Sequence, residues 1–258
     1  MDLNLQGKRA LVCGSTQGMG WAIARELSEL GASVTLFARN EESLRKQLAE
    51  LNGEGHDYLM ADFNDLDQVE ERARQGLKKG DYHILINNTG GPPPGPLAEA
   101  SLEEFNVAMT RHLHVSHTLV RLLLDGMKKA GYGRIVNIIS TSVKVPIPNL
   151  GVSNTVRGAV ASWAKTLANE LGGHGITVNN ILPGFINTGR IEGLISSRSK
   201  ASGRPPEEIQ KEMESTIPAG RFGEPQEVAA YAALLCSPSG AYINGTSLRI
   251  DGGRTGSI

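Results

Sequence analysis

The stretch "ALVCGSTQGMGWAIARELSELGASVTLFAR", residues 10–39, decides the fold. Two short apolar runs flank a glycine-rich turn and a stretch with helical periodicity, which predicts strand, turn, helix and strand in that order. Gly14, Gly18 and Gly20 lie where the backbone must turn sharply and the helix must pack on the sheet, and both tasks favour a residue without Cβ. The free N–H groups of the following helix favour a phosphate group. The stretch therefore predicts a dinucleotide-binding βαβ unit.

Similar apolar runs recur along the chain and alternate with helical stretches. Besides residues 9–14 and 33–39, the runs are "HDYLMAD" (56–62), "HILINN" (83–88), "GRIVNIIS" (133–140), "ITVNNILPG" (176–184) and "SLRIDGG" (247–253). Parallel strands need crossover helices, so this alternation predicts a sheet buried on both faces. We expect one α/β domain over residues 1–258, a Rossmann-type doubly wound parallel sheet flanked by helices on both faces.

Some helix ends are marked by the sequence. Gly31 is expected to cap the C-terminus of the first helix, and Asn40 the N-terminus of the second. Pro225 is expected in the first turn of the helix in "EPQEVAAYAALLC". The loop "GGPPPGPLAEAS" directly follows a strand and is expected to be stiff rather than to link two domains.

Composition and charge exclude several classes of partner. The formal net charge of −1 gives no general basic field, which argues against nucleic acid and against an anionic membrane. Two cysteines, Cys13 and Cys236, suggest neither a disulfide framework nor a metal cluster. Near Met1 no charged region is followed by a long apolar stretch, and nowhere do eighteen apolar residues run together. We therefore expect a cytoplasmic protein and small-molecule partners.

The spacing of the glycines is G-x-x-x-G-x-G, and further motifs follow in a fixed order. They are Asp62 after the third strand, "NNTG" (87–90) after the fourth, Ser140 after the fifth, "PGFINT" (183–188) after the sixth, and "IDGG" (250–253). In this set and order the chain resembles the short-chain dehydrogenase/reductase family over nearly its whole length. Its nearest general resemblance is to 3-oxoacyl carrier-protein reductases.

The resemblance implies which residues hold a nicotinamide dinucleotide. Asp62 and Phe63 would flank the adenine, Asn87 and Gly90 would lie near the adenosine ribose, and Arg157 could hold the nicotinamide ribose. The glycine turn would hold the pyrophosphate, and "PGFINT" the nicotinamide end. The residues of these two segments are Gly14, Ser15, Thr16, Gln17, Gly18, Met19 and Gly20, and Pro183, Gly184, Ile186 and Thr188.

The end of the second strand favours NADP(H) over NAD(H). A carboxylate there would bond the ribose hydroxyls of NAD and repel the extra phosphate of NADP. The chain has Ala38 and Arg39, and an arginine can bind a phosphate through a bidentate, charge-assisted hydrogen bond. NAD(H) is the second candidate.

The positions that carry the family's proton chemistry are unusual in this chain. In the family, a serine orients the substrate carbonyl, a tyrosine donates a proton, a lysine four residues later binds the ribose, and an asparagine on the preceding helix holds a water. Ser140 matches the serine, but Ser153 stands at the tyrosine position and Arg157 at the lysine position. His112 falls at about the asparagine position. We therefore predict a divergent member without the Tyr-x-x-x-Lys pair, whose proton donor is atypical.

Three replacements for the donor remain open. His112 titrates near neutral pH if it is unperturbed, Lys144 lies in the loop after Ser140, and a water chain could run through Ser153. A metal site at His112, His114 and His117 is not expected, because no carboxylate or cysteine joins them at ligand spacing.

The segment around residues 189–216 is expected to form a substrate lid. Its basic residues allow an anionic substrate such as an acyl thioester, and solvated charge is the alternative; they are Arg190, Arg198, Lys200 and Arg204. In the family two helices usually form a four-helix interface, here "FNVAMTRHLHVSHTLVRLLLDGM" and "VRGAVASWAKTLANEL". The resemblance thus implies a homo-oligomer, a tetramer or a dimer.

Two functions follow from these features. The first is an NADP(H)-dependent oxidoreductase that transfers hydride between nicotinamide and a carbonyl or alcohol substrate. The second is a catalytically silent NADP(H)-binding sensor or scaffold of the same fold. Intact Ser140 and "PGFINT" favour the first, whereas Ser153 and Arg157 favour the second.

Overall fold

Seven parallel strands form one sheet in a computed structural model that describes residues 1–257. The strand order is β3-β2-β1-β4-β5-β6-β7, so the order reverses between β1 and β4. The strands are β1 (Arg9–Cys13), β2 (Ser33–Ala38), β3 (Asp57–Met60), β4 (Ile84–Asn87), β5 (Gly133–Ile138), β6 (Ile176–Pro183) and β7 (Ser247–Ile250). In open parallel sheets ligands bind beyond the carboxyl ends of the strands at such a reversal.

Nine α-helices connect or follow the strands in this part of the chain. They are α1 (Gly18–Glu29), α2 (Glu41–Leu48), α3 (Leu66–Leu77), α4 (Leu102–Met109), α5 (Val115–Ala130), α6 (Gly151–Leu171), α7 (Gly189–Ser202), α8 (Pro206–Ser215) and α9 (Pro225–Cys236). None of them is long and apolar enough to cross a membrane.

The helices cover both faces of the sheet, as predicted. One apolar core packs α1, α2 and α9 against the sheet, with Ile23, Leu27 and Val228 fully buried. The other packs α3, α5 and α6, with Val69 and Leu123 fully buried. This confirms the doubly wound α/β fold, and both strand faces are apolar because both are covered.

The helix ends agree with the sequence signals in kind, with small shifts in position. The Asn40 side chain accepts a hydrogen bond from the N–H of Ser43 (2.8 Å), and Pro225 is the first residue of α9. The first helix ends at Glu29 rather than at Gly31. Gly31 has φ +94°, so it supplies the left-handed residue just beyond the helix.

A row of buried amides crosses four strands at one level. Asn87 Nδ2 donates to Asn137 Oδ1 (2.8 Å), Asn137 Nδ2 to Asn180 Oδ1 (2.9 Å), and Asn180 Nδ2 to Ser247 Oγ (3.0 Å). These residues are direct partners in the strand register. The row fixes the relative height of β4, β5, β6 and β7, and with it the height of the residues at their carboxyl ends.

Candidate active site at the carboxyl ends of the strands

The glycine turn forms a cradle that side chains would fill. A Cβ on Gly20 would overlap the carbonyl oxygen of Gly14 and come within 2.6 Å of Asn88 Nδ2. A Cβ on Gly14 would lie 2.6 Å from the carbonyl oxygen of Asn88, and Gly14 and Gly18 both have positive φ. Gly18 faces Thr188, whose Cγ2 would be 3.2 Å from an added Cβ. Only glycine fits at these positions, because the turn packs closely on Asn88 and Thr188 beside the start of α1.

The N-terminus of α1 lacks the side-chain caps that α2, α3 and α4 carry. Gln17, the residue before it, makes no side-chain cap, and the first turn contains no acidic residue. By contrast Asn40 caps α2 and Asp65 caps α3, and both helices have acidic residues in the first turn. Uncapped N–H groups and the positive end of the helix dipole suit an anion. The residues present thus fit the pyrophosphate of a dinucleotide.

The side chains of the glycine turn divide between bracing the loop and facing outward. Ser15 is fully buried, and its Oγ accepts from the N–H of Phe37 (2.9 Å), so only its main chain is free for a ligand. Gln47 Nε2 donates to the Thr16 carbonyl (3.2 Å). Gln17 is exposed and Met19 half-buried.

The residues predicted for the adenine end lie beyond β2 and β3. Arg39 is exposed and forms no ion pair within residues 1–257. Phe63 packs edge-on against Phe37 with ring centroids 5.2 Å apart. Asp62 accepts from the N–H of Asn64 (3.0 Å), which orients its carboxylate. An unpaired guanidinium at the end of β2 fits the extra phosphate of NADP(H).

The two asparagines after β4 have different tasks. The side chain of Asn87 is buried, with its Nδ2 in the amide row and its Oδ1 without a hydrogen-bond partner among the described residues. Asn88, which the sequence reasoning left out, donates from Nδ2 to the carbonyl oxygens of Cys13 (3.3 Å) and Gly14 (3.1 Å) and braces the glycine turn. Gly90 is exposed at the rim of the cleft, with open space where a Cβ would be.

The segment after β6 crosses to the glycine turn. Pro183 ends β6, and the N–H of Gly184 donates to the Ile250 carbonyl (2.8 Å). Ile186 forms an isolated bridge to Gly223. Because Thr188 then faces Gly18, this segment lies across the dinucleotide cleft from α1.

Ser140 lies just beyond β5, where it begins a short 3-10 helix over residues 141–143. Its Oγ accepts from the N–H of Ser142 (3.1 Å), and the residue is partly exposed. The hydroxyl proton has no acceptor among the described residues, so the group can donate toward the cleft.

Arg157 connects α6 to the end of β5 and is buried. Its Nε donates to Ser153 Oγ (3.2 Å), and its Nη1 donates to the Ile139 carbonyl (2.8 Å), one residue before Ser140. Nη2 makes no hydrogen bond within residues 1–257. Burial first, and then the charge of Arg190, lower the pKa of Arg157 to about 10. The guanidinium stays protonated at neutral pH and holds Ser153 beside the strand end.

His112 lies in a turn of π-helix, Thr110–His114, inserted between α4 and α5. The residue is buried, its Nδ1 lies 3.3 Å from Thr89 Oγ1, and its Nε2 is buried without a hydrogen-bond partner. Single π turns of this kind often mark functional sites, because they reorient one residue of a helix.

Burial, followed by the charges of Arg157, Arg190 and Arg111, lowers the pKa of His112 to about 3. The condition for titration near neutral pH, an unperturbed His112, is therefore not met, and the imidazole is neutral at pH 7. It cannot act as an imidazolium acid in the free protein. Lys144, the second candidate, is exposed at the end of the 3-10 helix, and no other atom holds its side chain in the cleft.

The depressed pKa of His112 makes stability depend on pH. The unfolded chain takes up a proton near its ordinary pKa of 6.5, whereas the folded protein does so only near 3. The contribution of His112 to the free energy of unfolding is at its full value above pH 6.5. It decreases as the pH falls from 6.5 toward 3, by up to about 1.4 kcal/mol per pH unit.

We expect His112→Asn to flatten the dependence of the unfolding free energy on pH between pH 6 and 4 by roughly 1 kcal/mol per pH unit. Urea unfolding of the cofactor-free protein at several pH values measures this slope. His114→Asn, an exposed position in the same turn, is the matched control. An unchanged slope in His112→Asn would show that the histidine is not desolvated.

Comparison with known proteins agrees with this architecture. The family model for enoyl-(acyl carrier protein) reductase matches residues 14–255. A 3-oxoacyl-[acyl-carrier-protein] reductase of Haemophilus influenzae is 36% identical, over 96% of this chain and 98% of the relative. A chloroplastic tropinone reductase homologue of Arabidopsis thaliana is 34% identical, over 97% and 76%. This chain belongs to the short-chain dehydrogenase/reductase family.

A solved structure of a short-chain dehydrogenase/reductase shows the same chain path. L-sorbose reductase from Gluconobacter frateurii, in complex with NADPH and L-sorbose, is 27% identical with a TM-score of 0.95, and each chain is covered completely. The seven-stranded sheet and the cleft at its carboxyl edge are therefore those of the family.

Sequence reasoning missed two parts of this short-chain dehydrogenase/reductase site. Asn88 lies inside the "NNTG" motif. Whether Asn87 or Asn88 donates hydrogen bonds to the glycine turn depends on which of these two adjacent amides faces β1. The sequence places Arg190 only in a basic lid, but its guanidinium reaches the loop after β4. Its charge lowers the pKa of both His112 and Arg157. Within residues 1–257, no group of three His, Cys, Asp or Glu could hold a metal ion.

Proposed function

We propose that this chain is an NADP(H)-dependent oxidoreductase that transfers hydride between nicotinamide and a carbonyl or alcohol substrate. The observation that carries the proposal is the glycine turn with the uncapped N-terminus of α1, together with Ser140 at the same edge of the sheet. Its relatives bear the names of reductases, and the matched sorbose reductase was solved with NADPH.

The residues that would hold NADP(H) are those of the glycine turn, Arg39, the Asp62 and Phe63 pair, the main chain of Asn87 and Gly90, and the segment from Pro183 to Thr188. Arg157 would reach the nicotinamide ribose through Nη2, the one end of its guanidinium without a described partner. When bound, the nicotinamide supplies or accepts the hydride.

The chain's own residues would handle the substrate oxygen. Ser140 would donate a hydrogen bond to the carbonyl, and this bond strengthens as negative charge develops on the oxygen. We propose that Ser153 takes the place of the family's tyrosine as the atypical donor, since Arg157 donates to its oxygen and leaves its hydroxyl proton free to move. A proton taken up from the solvent and relayed by water would then return to Ser153. His112, neutral and buried, would position the adjoining loop through Thr89.

The proposed lid would consist of α7 and α8. They share a small apolar cluster with the following segment, separate from the two main cores. It contains Ile191, Ile195, Ile209, Met213, Ile217 and Phe222. A unit that packs mainly within itself can tilt over a cleft at small cost, and closing loops commonly complete such sites.

We further propose a homotetramer assembled through α5 and α6. Trp163 and Leu167 of α6 and Leu122 and Leu124 of α5 are only partly buried at the edge of their core. Such half-covered apolar side chains suit a helix-to-helix interface between copies.

Both cysteines are buried free thiols, in keeping with the expected cytoplasmic location.

Oxidation of NADPH over a panel of ketones, keto acids and 3-oxoacyl thioesters tests the proposed activity. Turnover that disappears in Ser140→Ala would establish an oxidoreductase. NADPH binding without turnover of any member would instead support the silent sensor, which Ser153 and Arg157 favour. Turnover gained only in Ser153→Tyr/Arg157→Lys would support that second function further.

Arg39→Ala tests the cofactor preference. We expect the ratio of NADPH to NADH affinity to fall by about 10- to 100-fold, because a charge-assisted bidentate bond to phosphate is lost. Fluorescence titration of both nucleotides measures the ratio. Arg45→Ala is the control, since Arg45 is exposed nearby but already paired with Glu41 (2.7 Å). Equal effects on NADPH and NADH would contradict the assignment.

A further inference from the structure

Three arginines surround His112 without a compensating acid. Arg111, Arg157 and Arg190 are the charges that influence this imidazole, and no carboxylate acts on it. None of the three forms an ion pair within residues 1–257. Arg111 donates instead to the neutral Asn64 (2.6 Å), and Arg157 to main-chain carbonyls and Ser153. The inner part of the cleft is therefore positively charged.

Arg190 is the arginine that remains free. It is exposed at the start of α7, and its side chain reaches back to the loop after β4. A Cβ added to Gly91 would lie 2.5 Å from Nη1 and 2.8 Å from Nη2 of Arg190, so the guanidinium lies directly on the backbone at Gly91. Glycine at this position makes room for the guanidinium, which spans the cleft between loop and lid.

Two more polar atoms remain unsatisfied in this region. Nε2 of His112 is buried and has no hydrogen-bond partner among the described residues, and the whole residue is only 5% exposed. Nη2 of Arg157 also has no partner among the described residues. Buried polar groups are normally hydrogen-bonded, so the unpartnered Nε2 of His112, beside the free guanidinium of Arg190, points to a polar ligand in this region.

We propose that Arg190 binds a carboxylate of the substrate, so that the enzyme acts on keto acids or hydroxy acids in preference to neutral ketones or alcohols. The planar fork of a guanidinium matches the two oxygens of a carboxylate. Phosphate is the competing anion for a guanidinium, and the titration below includes it as a probe. This inference rests on the proposed function for its substrate class, but its binding step can be measured without turnover.

Calorimetric titration of the NADPH-loaded protein tests the binding step. The probes are monocarboxylates from acetate to benzoate, each paired with its primary amide, and inorganic phosphate. We expect at least one carboxylate to bind at least 10-fold more tightly than its amide, and Arg190→Gln to weaken that binding by about 10- to 100-fold. Arg74→Gln, at an exposed arginine of α3 that is paired with Glu70 (2.6 Å), should leave it unchanged.

Four titration results would overturn the proposal. The first three are equal binding of acids and amides, an effect of Arg190→Gln no larger than that of Arg74→Gln, and tighter binding of phosphate than of any carboxylate. A parallel loss of NADPH affinity in Arg190→Gln would also overturn it, because Arg190 would then serve the cofactor. If NADPH does not bind, the same titrations on the cofactor-free protein decide the question.

Turnover separates this inference from the proposed function. Arg190-dependent carboxylate binding without oxidation of NADPH would refute the enzyme and leave the anion site standing. Conversely, reduction of neutral ketones as efficiently as of keto acids, unaffected by Arg190→Gln, would refute the anion site and leave the oxidoreductase standing.

Discussion

Ser140→Ala is expected to lower kcat/KM for carbonyl reduction by about 10²- to 10³-fold, the usual loss when one donor to a developing oxyanion is removed. The hydroxyl lies at the end of β5, and no described residue accepts its proton, so its donating capacity is reserved for the cleft. The effect should appear mainly in kcat, because the hydrogen bond strengthens as charge develops. Steady-state kinetics on the best substrate of the panel measure it.

The stability of Ser140→Ala should fall by only about 1 kcal/mol, the cost of losing the cap on the N–H of Ser142. Ser142→Ala provides the matched control two residues away, because the buried Ser142 Oγ has no hydrogen-bond partner. Removing it should leave both activity and folding nearly unchanged. Similar kinetic losses in the two variants would mean that the 3-10 helix, rather than the Ser140 hydroxyl, matters for the reaction.

Gly20→Ala is expected to weaken NADPH binding by at least about 100-fold and to destabilise the protein by roughly 1–3 kcal/mol. The new methyl group would overlap the Gly14 carbonyl and crowd Asn88 Nδ2. The glycine turn would move away from α1, and the uncapped N–H groups would no longer point to the same place. Titration of NADPH fluorescence and urea unfolding measure the two effects.

The matched control for this change is Gly173→Ala. Gly173 lies in the short 3-10 helix before β6, and a Cβ there meets nothing within 4 Å. We expect no change in NADPH affinity. A Gly20→Ala protein that binds NADPH normally would mean that the turn adapts to side chains, and the cradle would then no longer support a dinucleotide site.

The fold was predictable because its strands are continuous apolar runs with helices between them. The seven predicted strands are all present, and the glycine turn lies between β1 and α1 as its residue types require. The environment of His112 was not predictable, since its low pKa depends first on burial and then on the charges of Arg157, Arg190 and Arg111. Only the folded chain buries this imidazole and brings Arg157 of α6 and Arg190 of α7 near it.

The same distinction explains Asn87 and Asn88. Both amides are adjacent in "NNTG", and alternation along a strand places neighbours on opposite sides. Which side faces the glycine turn depends on strand register, which the motif alone does not specify. The positions of Ser140, Ser153 and Arg157 relative to the strand end were predictable from the family spacing, but the hydrogen bond from Arg157 to the Ile139 carbonyl was not.

The amide row across β4, β5, β6 and β7 has a consequence for how the chain reaches its native state. Parallel strands of Val, Ile and Leu can pair in several registers with similar apolar contacts, so hydrophobic burial alone discriminates weakly between a correct and a shifted sheet. A shift by one residue would leave several amide groups without partners in a water-free interior, at about 1–3 kcal/mol for each unsatisfied group. The row therefore favours the native register, because a misaligned sheet loses hydrogen bonds at several strands together.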